Sequence, residues 1–284
     1  ALLFLSFNTA ALVKPIIALP QIFFVMIYSA FFGALAYKWT FGPTIRALLF
    51  AGIPVVLAAN FLIGGSRIME SLKLTGLTSV MGYGFFGQLF WMFGGMALLI
   101  YFGRSNHVRN LAPGMAGALS HSGLTGACTA GDLGVAAAMR APIMINIPFF
   151  GHVFVFSILA ISAQTGQLLT TWAALVAVIG IVITAIALRT LGRAEGDEKG
   201  EVKGLMQFSF GWQLTAIFGG LLLLSFGQMP MGYSAMAQSS AISHFGLFAA
   251  LQGGMFGETA ASLIPFIFAM PFLVHPLVFG MFGK

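Results

Sequence analysis

Charge is what this sequence has least of: 7% of its 284 residues are Asp, Glu, Lys or Arg, and only seven are acidic. Soluble domains carry about 25% charged residues, so this chain lacks the polar surface to enclose itself in water. A soluble enzyme and a nucleic-acid-binding domain are excluded on that ground. Cysteine is nearly absent as well. The single Cys128 allows no disulfide within the chain and no cysteine-based metal cluster. Also missing are a phosphate-binding loop, an HExxH zinc site, a GxSxG elbow and a paired-cysteine motif, so an ATP-driven pump on this chain alone is not expected. Alternating ten-residue strands, the mark of a membrane β-barrel, do not occur either. The chain opens at Ala1 inside an apolar run, without a signal peptide or initiator Met, and an N-terminal segment is expected to be missing.

What fills the chain is hydrocarbon. Apolar residues make up 59% of it, and the mean hydropathy is +0.97. Runs of roughly 20 apolar residues recur, each long enough to cross a hydrocarbon core of about 30 Å. The fold class read from this is an all-α, multi-pass integral membrane protein in a bacterial inner or comparable membrane. Interruptions by charge, Pro and Gly divide it into nine helices, at 15–37, 44–63, 84–103, 113–138, 142–163, 167–190, 206–227, 236–262 and 265–283. Residues 64–83 read as an amphipathic connector at the interface and 191–204 as a solvated loop. The net charge of +6 is topological, because Lys and Arg sit between apolar segments. If all nine spans cross, one side receives Lys14, Arg67, Lys73, Arg140, Arg189, Arg193, Lys199 and Lys203, and the other Lys38, Arg46, Arg104, Arg109 and Lys284. The richer side is then cytoplasmic.

The chain also repeats itself. Residues 118–156 align without a gap to 241–279 with sixteen of 39 positions identical, bringing Ser120-His121 onto Ser243-His244 and His152 onto His275. Upstream, GQLFWMFGGMALL (87–99) matches WQLTAIFGGLLLL (212–224) 125 residues later. A partial third copy is suggested by NTAALVKPIIALP (8–20) against ETAASLIPFIFAMP (258–271). The domain reading is one membrane domain built of the end of a partial repeat (1–40) and two repeat units (41–165 and 166–284). Four spans per unit restore the starting side, so the units are expected to be related by an axis along the membrane normal; a membrane-embedded half-helix or re-entrant segment at 64–83 or within 113–138 would instead invert the relation.

The third helix of each unit pairs a His with a carboxylate. His121 and Asp132 are eleven positions apart and His244 and Glu258 fourteen, which places each pair within roughly 20° and 40° of one helix face, at about 16–21 Å along the axis. An intramembrane carboxylate is expensive and therefore points to function, in a proton or cation path. The plainer alternative puts both acids near helix ends at the interface, Asp132 beside Arg140. His152 and His275 each follow a Pro by four residues (Pro148, Pro271) in the fourth helix, where a freed backbone carbonyl can serve a ligand or gate; Asn146 adds a polar group in the first copy. The repeated Gln-Leu-x-x-x-Phe-Gly-Gly element (Gln88, Gly94, Gly95; Gln213, Gly219, Gly220) either packs helices or sets an amide in the bundle.

These residues imply a transporter or channel subunit for a small solute or ion, with proton coupling as one version and no resident cofactor. Its path is lined by His121, Asp132, Asn146, His152, His244, Glu258 and His275. Its partners are the bilayer, the solute and other membrane subunits. The alternatives are a redox subunit whose repeated His residues ligate haem or copper, and a structural subunit of a larger membrane complex. The paired His-His and other ligand spacings of a haem–copper centre are absent.

Overall fold

The computed structural model describes residues 2–13, 24, 28, 31, 77–103, 114–115, 118–119, 170–194, 196–229, 233–234, 237–238 and 241–242. This described part is helical. Its long elements are α1 (Leu2–Val13), α2 (Leu77–Gly103), α3 (Thr170–Arg193) and α4 (Glu198–Phe226). Three of them, α2, α3 and α4, are long and apolar enough to cross a membrane. At 1.5 Å per residue they measure about 40, 36 and 44 Å. The protein is therefore a helical bundle with at least three membrane-spanning candidates. Of the nine expected helices, those at 84–103, 167–190 and 206–227 correspond to α2, α3 and α4; the other six, and the domain division that depends on them, lie wholly or largely outside the described residues.

Two boundaries differ from the sequence reading. Helix α2 begins at Leu77, so the end of the expected interfacial connector, Tyr83 included, belongs to the span. The expected loop 191–204 shrinks to 194–197, because α3 continues to Arg193 and α4 starts at Glu198. Capping explains the second change. Asp197 has extended backbone (φ −103°) and its carboxylate accepts from the Lys199 N–H at 3.1 Å, while Glu198 and Glu201 occupy the positive end of the helix. Gly196 turns the corner at φ +81°, a conformation open to glycine. A charged stretch read as loop is thus the first turn of a well-capped helix.

Helices α3 and α4 form an antiparallel hairpin. Gly180 lies against Gly211 and Thr215, Gly211 against Thr184, and Gly204 against Leu191. The inner face of α3 carries Ala173, Ala177, Gly180, Thr184 and Ala187, all buried, while Trp172, Leu175, Val178, Ile179, Val182 and Ile186 are exposed. Lipid is as apolar as Leu, so bulk gains nothing by turning inward; small residues do, by letting backbones approach. Thr184 and Thr215 satisfy their hydroxyls on the carbonyls of Gly180 and Gly211, at 2.8 and 2.9 Å, and so bring no unpaired donor into the interface.

Helix α2 packs beside this hairpin, and its direction is fixed at both ends. Its Phe102 carbonyl approaches Gly192 near the end of α3, so α2 and α3 run the same way. Against α4 it runs the opposite way: Gly95 meets Trp212, and Tyr83 meets Gly220. An axis along the membrane normal requires α2 and α4, which carry the two copies of the Gln-Gly-Gly element, to run in the same direction. The division of basic residues into eight and five put the chain after α2 and the 194–197 turn on opposite sides, whereas the ends of α2 and α3 meet at one end of the bundle.

Candidate functional site

All seven residues expected to line a path, His121, Asp132, Asn146, His152, His244, Glu258 and His275, lie outside the described residues, as does Cys128. Among the described residues no three His, Cys, Asp or Glu side chains gather at metal-binding distance. What the structure builds is the crossing of α2 and α4, where the repeated Gln-Gly-Gly elements sit.

Trp212 is the middle residue of α4, and Trp91 lies one residue past the middle of α2, so the two helices meet at about mid-length. The indole N–H of Trp212 donates to the Trp91 carbonyl at 3.0 Å, and the rings meet edge-on with centroids 5.6 Å apart. Phe208 also stacks on Trp212, with centroids 6.0 Å apart. Such aromatic pairs add about 0.5–1.5 kcal/mol beyond burial. The glycines make room for the rings. A Cβ on Gly94 would lie 3.9 Å from the Trp212 ring, and one on Gly219 would lie 3.6 Å from Trp91. Gly95 and Gly220 are tighter. A Cβ at Gly95 would stand 2.5 Å from Trp212 Nε1 and 2.7 Å from Met115 Sδ; at Gly220 it would overlap the Gln238 amide and stand 2.5 Å from Tyr83 Oη.

Polar groups line this crossing without charge. Gln88 and Gln213, equivalent in the repeated element, are both fully buried. Each lies seven residues before its tight glycine, Gly95 or Gly220, and so on the same helix face. The element therefore does both things expected of it: it packs helices, and it sets amides inside the bundle. Gln238 donates from Nε2 to the Ile217 carbonyl at 3.1 Å, and no described residue donates to its Oε1. Ser209 Oγ donates to the Gly114 carbonyl at 2.7 Å, tying α4 to the segment at 114–119. Hydrocarbon offers these groups no partner, so each must be satisfied by protein or by something admitted into it. Among the described residues the crossing holds no nucleophile paired with a base.

Three features escaped sequence reasoning. The Gly180/Thr184 and Gly211/Thr215 pairs had a legible signal, two small residues four apart on each of two neighbouring spans. Tyr83 was assigned to the interface because nearby charges masked the start of α2. Gln238, a lone amide, has no sequence signal. Comparison with protein-family models, curated proteins and solved structures finds no match to this chain.

Proposed function

We propose that the chain is a transporter or channel subunit that moves a small solute or ion, along a path lined by the third and fourth helices of two repeated units. The observation that carries this reading is the burial of Gln88 and Gln213, amides near the middle of two apolar spans in a chain with few polar side chains. Downstream of each, the chain carries a His/carboxylate pair (His121 and Asp132; His244 and Glu258) and a Pro-flanked His (His152; His275). Asn146 joins the first set. In this reading the acids and imidazoles pass the ion or proton, while the Gln-Gly-Gly crossing holds the two halves together.

The test is flux in reconstituted vesicles for His121→Gln and His244→Gln beside the parent chain. Imidazole is the side chain whose charge most readily changes near physiological pH, so the parent's flux should depend on pH. Each substitution should depress the flux and flatten that profile while the melting behaviour stays the same. Unchanged flux in both variants refutes the path. An absorption spectrum of the purified protein is the second arm: a Soret band moves these His residues to haem ligation.

A further inference from the structure

The alignment that pairs His121 with His244 also pairs Ala118 with Ala241 and Leu119 with Ile242, and carried three residues further upstream at the same offset it sets Met115 opposite Gln238. The upstream match pairs Gly95 with Gly220. These equivalent residues do equivalent things. Gly95 is closed by Met115 from the segment that follows its own helix and by Trp212 from the helix across the crossing; Gly220 is closed by Gln238 and by Tyr83 in the same two ways. The Leu119 N–H donates to the Met115 carbonyl at 3.0 Å and the Ile242 N–H to the Gln238 carbonyl at 2.9 Å, the same helical turn in each copy. Both segments also reach the opposite unit. Gly114 approaches Leu205 and accepts from Ser209 on α4, while Ala241 approaches Gly87 on α2.

Rotation about the membrane normal cannot exchange these two sockets, because it leaves helix direction unchanged and α2 and α4 are antiparallel. A two-fold axis in the membrane plane exchanges both the helices and their sockets. We infer that the two units are inverted copies related by an in-plane two-fold axis through the α2/α4 crossing, close to the equivalent residues Trp91 and Ala216. One glycine socket then lies on each side of the midplane, since Gly95 is past the middle of α2 and Gly220 past the middle of the oppositely directed α4. Inverted units allow a site at their interface to face either side by exchange of the two halves' conformations. That use rests on the transport reading; the symmetry itself does not.

Two measurements on the full chain test it, and neither reads flux. In sealed, oriented vesicles on a Cys128→Ala background, a membrane-impermeant maleimide should label Ser79→Cys and Gln228→Cys from one side and Lys199→Cys from the other. Labelling of Ser79→Cys together with Lys199→Cys overturns the inversion. The second measurement is a pair of double-mutant cycles read by unfolding in detergent. Gly220→Ala should lower the folded fraction several-fold, with Gln238→Ala restoring part of it; Gly95→Ala with Met115→Ala should behave alike. Coupling in one cycle and none in the other refutes the equivalence of the sockets. A glycine variant too unstable to purify leaves the decision to the labelling.

Discussion

The α3/α4 hairpin is the most exacting place to perturb this protein. A methyl added at Gly180 would lie 2.6 Å from the Thr215 backbone nitrogen, 2.7 Å from its Oγ1 and 2.8 Å from the Gly211 carbonyl oxygen. Two of those three atoms are backbone of the facing helix and cannot rotate away. Ordinary contact begins near 3.4 Å, so Gly180→Ala must open the hairpin by roughly 1 Å at this level. Overpacking of that kind costs about 1–3 kcal/mol. Alanine's better helix propensity returns up to about 1 kcal/mol. The expected net loss is about 1–2 kcal/mol, or roughly 5- to 30-fold in the folded-to-unfolded ratio, read from reversible denaturant unfolding in detergent. Gly82→Ala is the internal control: nothing lies within 4 Å of its Cβ position, so the same propensity gain should appear unopposed. Gly211→Ala meets Thr184 in the same manner, at 2.6 Å from its nitrogen. Once one methyl has separated the helices the other finds space, so the double variant should cost less than the sum of the singles. A Gly180→Ala protein as stable as the parent, with an additive double variant, would refute the interlock.

Other expectations concern the cap, the crossing and the tie to segment 114–119. Asp197→Ala should destabilise by about 1 kcal/mol through loss of the N-cap, with Asp197→Asn close to the parent, in the same unfolding assay. Trp212→Phe removes the hydrogen bond to the Trp91 carbonyl and part of the ring contact, and should cost about 1–3 kcal/mol; a smaller effect than Gly82→Ala produces would mean that the rings do not hold the crossing. Ser209→Ala should cost about 0.6 kcal/mol, the average for hydrogen bonds between membrane helices, and no more than about 1.7 kcal/mol, by loss of its bond to Gly114.

Periodicity and composition were enough to identify the class of this protein, because crossing hydrocarbon demands about 20 apolar residues with their backbone bonded internally, and only a helix supplies both. Helices α2, α3 and α4 stand where apolar runs were counted, within a few residues at most ends. The repeated Gln-Gly-Gly element was equally visible, since a glycine pair seven residues after a Gln is written in local spacing. Burial of Gln88 and Gln213 follows from that spacing once the helix is known to lie in a bundle.

Direction was not legible. A run of apolar residues reads the same whether the chain enters from one side or the other, and one miscounted crossing reverses everything after it. The Gly192 contact with Phe102, and those of Gly95 with Trp212 and Gly220 with Tyr83, decided what counting could not, because a close approach fixes which ends of two helices lie together. The start of α4 was hidden for a related reason: Glu198, Lys199, Glu201 and Lys203 look like loop until Asp197 is seen to cap them. Sequence determined that this chain is built of helices long and apolar enough to cross a membrane. Only the packing of side chains from distant segments decided which way α2 runs against α4, since that direction is set by contacts more than a hundred residues apart, as in the bond from Trp212 to Trp91.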